Sequence, residues 1–298
     1  MSNKRFAIKT LAACVLAAAA LGAFGIASAQ TKLKWAHVYE TSEPFHKYSV
    51  WAGEEIKKRT NGKYEVQVFP ASSLGKEADI NQGLTLGTVD IILSGASFAG
   101  RTYQPLAVSY FPFIFRDAEH QLKYAKSDVF KELAKGYDDK SGNYITALTY
   151  YGARHVTSSA ARPVAKPEDM KGLKIRVPDA PAYLAFPKSL GANPTPIAFA
   201  EVYLALQSGT VDAQENPLPT IEAKKFYEVQ KNISLTGHIV DSLLTIVSGQ
   251  LWGKLSADEK KIFTEVMQEA AEKTGREIIA SETRLTEDFK KKGNNVIT

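Results

Sequence analysis

The four-residue word Gly-Thr-Val-Asp occurs twice in the chain, at Gly87–Asp90 and at Gly209–Asp212. Each copy follows an apolar run with helical spacing. Glycine readily adopts the left-handed conformation that ends a helix, valine suits the start of a buried strand, and aspartate can hydrogen-bond a turn. Each copy therefore predicts a corner between a helix and a strand. Two such corners predict two halves that are built alike, and no other local pattern constrains the fold as much.

Strand and helix patterns alternate around both corners. The elements predicted for the first half are a strand at Lys32–Val38, a helix that begins near Pro44 and is capped by Thr41 or Ser42, a strand at Lys63–Phe69, a helix at Lys76–Leu86 and a strand at Asp90–Leu93. Those predicted for the second half are strands at Tyr144–Tyr151, Leu173–Pro178 and Val211–Ala213, with helices at Ala182–Leu190 and Ala200–Gln207. This alternation predicts the α/β fold class with a largely parallel sheet.

A long helical pattern follows Leu255 and opens with a capping box of Ser256 and Glu259. Its apolar residues recur on one face as far as Phe289. We expect this C-terminal helix to brace both halves. Because no low-complexity segment or flexible linker separates the halves in the sequence after residue 29, we expect strands to join them.

The N-terminal segment, residues 1–29, has the layout of a secretory signal peptide. Three cationic residues precede an apolar run from Leu11 to Ile26, and Ala27–Ala29 supplies a small-x-small cleavage site. A transmembrane anchor is the competing interpretation, but the run is short and Ala-rich for a spanning helix of about 20 residues. Cys14, the only cysteine, lies inside this segment. A lipoprotein acylation site at Cys14 is disfavoured because Lys9 leaves almost no apolar run before it.

Cleavage after Ala29 leaves a chain without cysteine, and therefore without a disulfide, a thiol nucleophile or a thiolate metal site. Loss of the three cationic residues lowers the formal net charge from +5 to +2. This balance gives no reason to propose nucleic acid or an anionic membrane as a partner. The sequence contains no motif typical of a hydrolase, a dinucleotide-binding protein, a nucleotide triphosphatase or a zinc protease. We therefore predict no catalytic residue, no metal ion and no cofactor.

Two arginines lie near the ends of predicted strands. Arg176 precedes Pro178 in LKIRVP, and Arg154 follows Gly152 in YYGARH. Ligands of open α/β sheets bind beyond the carboxyl ends of strands, where an arginine can clamp a carboxylate with two parallel hydrogen bonds. The alternative for both arginines is a structural ion pair. Asn216, before Pro217, is a further polar residue near a strand end, with an ordinary loop residue as its alternative.

Three segments make the chain resemble a known family: GLKIRVP, GANPTPIAFAEVYLALQSGTVDAQENP and KKFYEVQKNISLTGH. They are similar to the periplasmic substrate-binding proteins of TRAP transporters, a family first associated with C4-dicarboxylates and sialic acid. The similarity runs from about Leu33 to about Lys292. It implies a two-lobed α/β protein that closes on a small carboxylate in the periplasm. It also implies that the protein delivers this ligand to TRAP membrane permease subunits, which use a sodium gradient. We expect a monomer that binds no nucleic acid and does not insert stably into the membrane.

The resemblance also implies roles for particular residues. Arg176 matches the arginine that clamps the ligand carboxylate, Arg154 matches a second family arginine, Asn216 matches the asparagine of the QENP motif, and Phe199 matches an aromatic residue of the cleft. Glu77 matches a polar position that reaches the rest of the ligand. Together with Glu77, the loop HVYETSEPFH, and His37 in particular, resembles members that bind hexuronates.

The resemblance implies that lobe 1 comprises residues 30–151 plus 242–281, and that lobe 2 comprises residues 152–241 plus 282–298. The chain would cross between lobes near Gly152 and near Asp241, with the long helix spanning both. It further implies another helical segment beyond Thr298.

We rank glucuronate, galacturonate or a related sugar acid first as ligand, and a C4-dicarboxylate or other small carboxylate second. A second carboxylate near an acidic group is costly, which disfavours a dicarboxylate. Sialic acid binders carry a further acidic group near the position of Gly95, so sialic acid is also disfavoured. Two other classes stay open: an exported enzyme acting on sugar acids, and a sensor that serves a signalling receptor.

Overall fold

Nine strands form one mixed sheet in the structure, a computed structural model that describes residues 30–298. The signal-peptide prediction for residues 1–29 lies outside this range. The strands are β1 (Thr31–Ala36), β2 (Tyr64–Phe69), β3 (Ile91–Gly95), β4 (Tyr144–Ser158), β5 (Lys174–Val177), β6 (Asn193–Pro196), β7 (Ala213–Pro217), β8 (Asn232–Val247) and β9 (Asn295–Ile297). They lie in the order β2-β1-β3-β8-β4-β7-β5-β6, and β9 pairs with β8.

The prediction of a largely parallel sheet is correct within each half and wrong at the centre. Strand β1 is parallel to β3 in the first half, and β5 is parallel to both β6 and β7 in the second half. The pairs β3–β8, β8–β4 and β4–β7 are antiparallel. The two long central strands, of 15 and 16 residues, carry the chain between the halves in opposite directions, and this connection imposes the antiparallel centre.

Strands β4 and β8 each belong to both halves of the sheet. Strand β3 pairs with the end of β8 at Leu243–Val247, whereas β7 pairs with the end of β4 at Arg154–Ser158. Between these regions Gly152 lies opposite Asp241, next to a register shift. Gly152 has a φ of 123°, and a Cβ atom there would lie 2.7 Å from the Cβ of Pro217, so the position requires glycine. The two predicted crossover points are thus partners in one ladder, while the lobe boundaries themselves stay a prediction.

Eleven α-helices flank the sheet in the part of the chain that the structure describes. They are α1 (Pro44–Arg59), α2 (Glu77–Leu86), α3 (Ala96–Ala99), α4 (Ala118–Ala125), α5 (Asp128–Ser141), α6 (Ala185–Ser189), α7 (Val202–Gln207), α8 (Leu218–Ala223), α9 (Phe226–Val229), α10 (Gly249–Trp252) and α11 (Ala257–Lys291). Glu43, rather than Thr41 or Ser42, is the N-cap residue of α1, and its side chain makes no capping hydrogen bond.

The repeated word forms the same corner twice, as predicted. Gly87 and Gly209 have φ values of 75° and 70° and follow α2 and α7. The strands begin later than predicted, at Ile91 and Ala213, so the valines of the word precede them and β7 continues to Pro217. The aspartates act differently from our expectation, because they bind the neighbouring parallel strand instead of the turn. Asp90 Oδ2 accepts the Lys34 N–H at 2.8 Å, and Asp212 Oδ2 accepts the Lys174 N–H at 3.1 Å. Each corner therefore ends a helix and fastens the start of the next strand to its neighbour.

Replacing Gly209 with alanine is expected to lower the free energy of unfolding by about 1 kcal/mol, because an L-residue is strained in the left-handed region. Gly209 has open space around the position of a Cβ atom, so this variant isolates the backbone effect. A Cβ on Gly87 would lie 2.2 Å from Gln250 Oε1, so Gly87→Ala adds the displacement of that side chain. Urea unfolding of both variants checks the prediction, and a Gly209→Ala protein as stable as the wild type would contradict it.

The long helix α11 has 35 residues and begins with the predicted capping box of Ser256 and Glu259. Its first half packs into an apolar cluster with β1 and α1, and its second half reaches a cluster that contains α8 and α9. Glu282 fixes it to the crossover, where its Oε1 accepts the Ala153 N–H at 2.9 Å and the Tyr150 hydroxyl at 3.1 Å. The helix therefore braces both halves of the sheet. Among residues 30–298, the structure has no helix with both the length and the apolar character to cross a membrane.

Candidate functional site

Arg176 is buried in β5, and its guanidinium is only partly bound by the protein. The Nε and Nη2 atoms donate to the Ile197 carbonyl oxygen at 2.9 and 2.7 Å. The Nη1 atom is buried without a hydrogen-bond partner among the residues that the structure describes. The side chain is 2% exposed. A buried donor that lacks a partner is costly, so this guanidinium has unused capacity for an acceptor.

The charge of Arg176 is also uncompensated at close range. No ion pair within residues 30–298 includes it. Burial lowers the pKa of Arg176 to about 10, with Glu215 opposing this shift and Arg154 adding to it. At neutral pH the group therefore stays cationic without a carboxylate in contact. A ligand carboxylate can supply this missing partner through the planar fork of the guanidinium.

Arg154, the second predicted arginine, is already paired within the protein. Its Nε and Nη2 atoms donate to the two carboxylate oxygens of Glu215, the latter at 2.8 Å. Its Nη1 donates to Asp241 Oδ2 at 2.7 Å. Burial by itself lowers the pKa of Arg154, but Glu215 and Asp241 more than reverse this effect. The structural ion pair that the sequence left open as the alternative is therefore present, and a ligand contact by Arg154 stays a prediction.

Glu215 anchors this buried network next to Asn216. Although burial raises its pKa, Arg154 and a hydrogen bond from His238 lower the pKa of Glu215 to about 2. His238 Nε2 lies 3.3 Å from Glu215 Oε2. Asn216 is buried in β7, where its Oδ1 accepts the Tyr151 hydroxyl and Arg154 Nη2, each at 3.3 Å. Asn216 thus lies in a strand and not in a loop, and it borders the second arginine.

Glu77 supplies an acidic group from the first half. It opens α2, where its Oε1 accepts the Gly95 N–H at 2.7 Å and the Ser94 hydroxyl at 2.8 Å. These bonds fix the half-buried side chain at the carboxyl end of β3. Burial raises the pKa of Glu77, and the positive charge of Arg176 lowers it. Residues predicted from opposite halves are therefore within electrostatic reach of each other.

Phe199 lies where the two halves meet. The Arg176 guanidinium carbon is 5.9 Å from the centre of its ring, and the Tyr39 ring of the first half is 6.1 Å away. Four polar contacts join residues of the two halves. The contacts are Lys76–Glu201 at 2.9 Å, Arg101–Asp179 at 3.2 Å, Lys224–Glu40 at 2.7 Å and Thr220–Glu43 at 2.8 Å. The cleft aromatic implied by the resemblance is thus near Arg176.

His37 is engaged by its own loop. Its Nδ1 accepts the Tyr39 N–H at 3.2 Å, and its Nε2 lies 3.2 Å from His46 Nδ1. Burial, assisted by His46, lowers the pKa of His37 to about 3, so the ring is neutral. A direct ligand contact would require one of these bonds to break, and the predicted role of His37 stays a prediction.

The sequence reasoning missed Glu215, described above, and two further buried residues of the site. Asp241, which was singled out only as a crossover point, binds Arg154, and the Tyr183 hydroxyl lies 3.3 Å from its Oδ2. Tyr183 also lies under Arg154, whose guanidinium carbon is 4.9 Å from the ring centre. No local pattern identifies Asp241, because its partner is 87 residues earlier in the chain. Among residues 30–298, no group of three or more His, Cys, Asp or Glu side chains is arranged to hold a metal ion.

A two-part α/β sheet with a polar site where the two parts meet is the architecture of proteins that bind small solutes. Residues 35–298 match the family model DctP, described as bacterial extracellular solute-binding protein, family 7. The chain belongs to this family, the periplasmic solute-binding proteins of TRAP transporters.

Individual relatives agree with this assignment. The chain is 34% identical over 290 residues to the sialic acid-binding periplasmic protein SiaP of Vibrio cholerae, a match that covers 97% of this chain and 89% of SiaP. It is 34% identical over 282 residues to the 2,3-diketo-L-gulonate-binding periplasmic protein YiaO of Escherichia coli, covering 94% and 85% of the two chains. A TRAP periplasmic solute-binding protein from Polaromonas sp. JS666, solved with D-erythronate, superposes with a TM-score of 0.86 at 34% identity, covering 90% of this chain and 88% of that one.

Proposed function

We propose that this protein captures an organic acid in the periplasm and delivers it to a TRAP membrane permease, after export by a cleaved signal peptide. The buried and uncompensated guanidinium of Arg176 is the observation that carries the proposal. A ligand carboxylate would satisfy both its free hydrogen-bond donor and its charge. Membership of the TRAP family supports the delivery step.

The charges around Arg176 support a sugar acid as the ligand. Arg154 is already paired with two carboxylates, so Arg176 remains to bind one carboxylate of the ligand. Glu77 and the tyrosines Tyr39, Tyr151 and Tyr183 are electrostatically coupled in this region, and side chains of these types suit ligand hydroxyl groups. D-erythronate and 2,3-diketo-L-gulonate, which two relatives bind, are polyhydroxylated acids. A hexuronate such as glucuronate or galacturonate is our first candidate, and a C4-dicarboxylate is the alternative.

Sialic acid ranks lower despite the similarity to SiaP. The resemblance associates sialic acid with an acidic side chain near position 95, where this chain has glycine. A Cβ atom on Gly95 would lie 3.2 Å from the Tyr110 hydroxyl oxygen and 3.6 Å from Glu77 Oε1. The first of these distances is tight, so the surroundings of Gly95 leave little space for a side chain.

In the proposed binding step, Arg176 clamps the carboxylate against Phe199, with Arg154 and Asn216 bordering the same space. Glu77 accepts hydrogen bonds from ligand hydroxyls. A ligand that touches both halves binds the closed arrangement more tightly and shifts the population toward it. The polar contacts between the halves, such as Lys76–Glu201 and Arg101–Asp179, would then form together with the complex.

A thermal-shift screen of the chain without residues 1–29 tests the proposed function. The panel contains glucuronate, galacturonate, erythronate, sialic acid, malate, succinate and pyruvate. A ligand at 100 times its Kd adds about 2.7 kcal/mol to stability, which for a chain of this size raises Tm by several degrees. We expect the largest shifts from uronates and erythronate. A shift with malate and succinate alone would overturn the ligand ranking, and no shift with any acid would contradict the proposed function.

In the proposed function the protein releases its ligand without altering it chemically. Chromatography of each stabilising acid after prolonged incubation with the protein separates a binding protein from an exported enzyme. Recovery of the acid in full is expected. Formation of a product in proportion to protein concentration would contradict the binding role.

A further inference from the structure

Asp241 is a buried acidic residue at the centre of the site, and no contact with the ligand has been assigned to it above. It is 0% exposed and lies where β8 passes between the two halves of the sheet. Its Oδ2 accepts Arg154 Nη1 at 2.7 Å and the Tyr183 hydroxyl at 3.3 Å, and its Oδ1 accepts the Ser242 N–H at 2.6 Å. Burial raises the pKa of Asp241, whereas the Arg154 guanidinium and the hydrogen-bond donors on both oxygens oppose this shift and favour the ionised carboxylate.

The pairing of Asp241 with Arg154 removes one of the two buried guanidinium groups from anion recognition. The Nε and Nη2 atoms of Arg154 are occupied by Glu215, and Nη1 is occupied by Asp241. One cation against two carboxylates leaves this cluster with an excess of negative charge. Arg176 is then the buried guanidinium of the site that lacks a carboxylate partner within residues 30–298.

The negative charge of Asp241 acts on Glu77 and Tyr39 of the first half. Burial raises the pKa of Glu77, and Asp241 raises it further. Burial likewise raises the pKa of Tyr39, with additional contributions from Glu77 and Asp241. A ligand that pairs one carboxylate with Arg176 therefore lies in the electrostatic field of both Glu77 and Asp241. A hydroxyl there can donate a hydrogen bond, whereas a second carboxylate meets two like charges in a site from which water is largely excluded.

We propose that Asp241 is a specificity-determining residue, which restricts the ligand to one carboxylate by neutralising Arg154 and repelling a second anionic group. This inference rests on the proposed function and names the charge class of its ligand. It separates sugar acids with one carboxylate from the aldarates and C4-dicarboxylates that carry two.

Matched acids that differ only in the second carboxylate test this inference. The pairs are erythronate with meso-tartrate, galactonate with galactarate and gluconate with glucarate, measured by calorimetric titration at pH 8. We expect the wild type to bind the monocarboxylate of at least one pair at least tenfold more tightly than its dicarboxylate. Asp241→Asn keeps the shape of the side chain and removes its charge. In this variant the ratio of monocarboxylate affinity to dicarboxylate affinity is expected to fall at least tenfold. Asp128→Asn, at an exposed position with a side chain 97% exposed, changes net charge equally and should leave the ratio unchanged.

The ratio of the two affinities distinguishes a specificity role of Asp241 from a structural role, because a loss of site geometry weakens the binding of both acids of a pair together. An unchanged ratio in a folded Asp241→Asn protein would overturn the inference while leaving the proposed function intact. If the variant does not fold, the wild-type ratio still decides, because equal or tighter binding of dicarboxylates overturns the inference. If the wild type bound neither these acids nor any acid of the thermal-shift panel, the proposed function would be overturned and the inference with it.

Discussion

Arg176→Ala is expected to weaken binding of the preferred sugar acid by 100-fold or more. Removing one partner of a buried, hydrogen-bonded ion pair costs about 3–5 kcal/mol, because the other charge is left desolvated without compensation. Arg176→Lys is expected to recover little, since an ammonium group cannot reproduce the planar fork. Calorimetric titration of the acid that stabilises the wild type most provides the measurement.

Two controls separate loss of the clamp from loss of the fold. Arg176→Met preserves most of the buried volume and removes a cation that lacks a carboxylate partner, so the ligand-free variant is expected to unfold at or near the wild-type temperature while binding is lost. Arg284→Ala removes an equal charge at an exposed position of α11 and should bind normally. Binding by folded Arg176→Ala within a few-fold of wild type would refute the clamp assignment.

The corners of the fold are predictable from sequence because their determinants are local. Gly87 and Gly209 end their helices by a backbone conformation that glycine adopts at little cost, and the adjoining helices and strands follow from apolar periodicity. The long strands β4 and β8 are harder to predict. Strand β4 continues to Ser158, past the predicted end at Tyr151. Arg154, Thr157 and Ser158 are buried in this stretch, so alternation between polar and apolar residues no longer marks the strand.

The site residues, too, are predictable where local sequence determines their position and are not predictable where distant parts of the chain do. The position of Arg176 near the end of a strand was predictable from local sequence, because Pro178 follows two residues later. The absence of a carboxylate partner for Arg176 was not predictable in this way, because it depends on which carboxylates Arg154 binds. Glu215 and Asp241 lie 61 and 87 residues from Arg154 along the chain. The balance of charges in the site is therefore a property of the folded sheet, and ligand ranking from sequence had to rely on resemblance.

Glu43 occupies a second buried position where charge and folding are coupled. It is 1% exposed, and its Oε2 accepts the Thr220 hydroxyl at 2.8 Å across the two halves. Its Oε1 accepts the Glu40 N–H at 2.8 Å. Burial raises the pKa of Glu43 to about 7, against the hydrogen bonds from Glu40 and Thr220, which lower it. Lys224 is close but is paired with Glu40 at 2.7 Å, so it compensates Glu43 only in part.

Glu43→Gln is expected to make the protein's stability less dependent on pH. Because the folded pKa of about 7 exceeds the ordinary value of 4.5, the folded state holds the proton more tightly. The resulting contribution to the free energy of unfolding is fully present below the ordinary pKa and is lost as pH rises through 7. Between pH 5.5 and 8.5 the wild type should lose about 2 kcal/mol more of its unfolding free energy than Glu43→Gln does. Urea unfolding at both pH values measures this, with Glu119→Gln at an exposed position as the control. An equal difference between wild type and Glu43→Gln at both pH values would mean that Glu43 is ionised throughout, and that its contact with Thr220 holds a carboxylate.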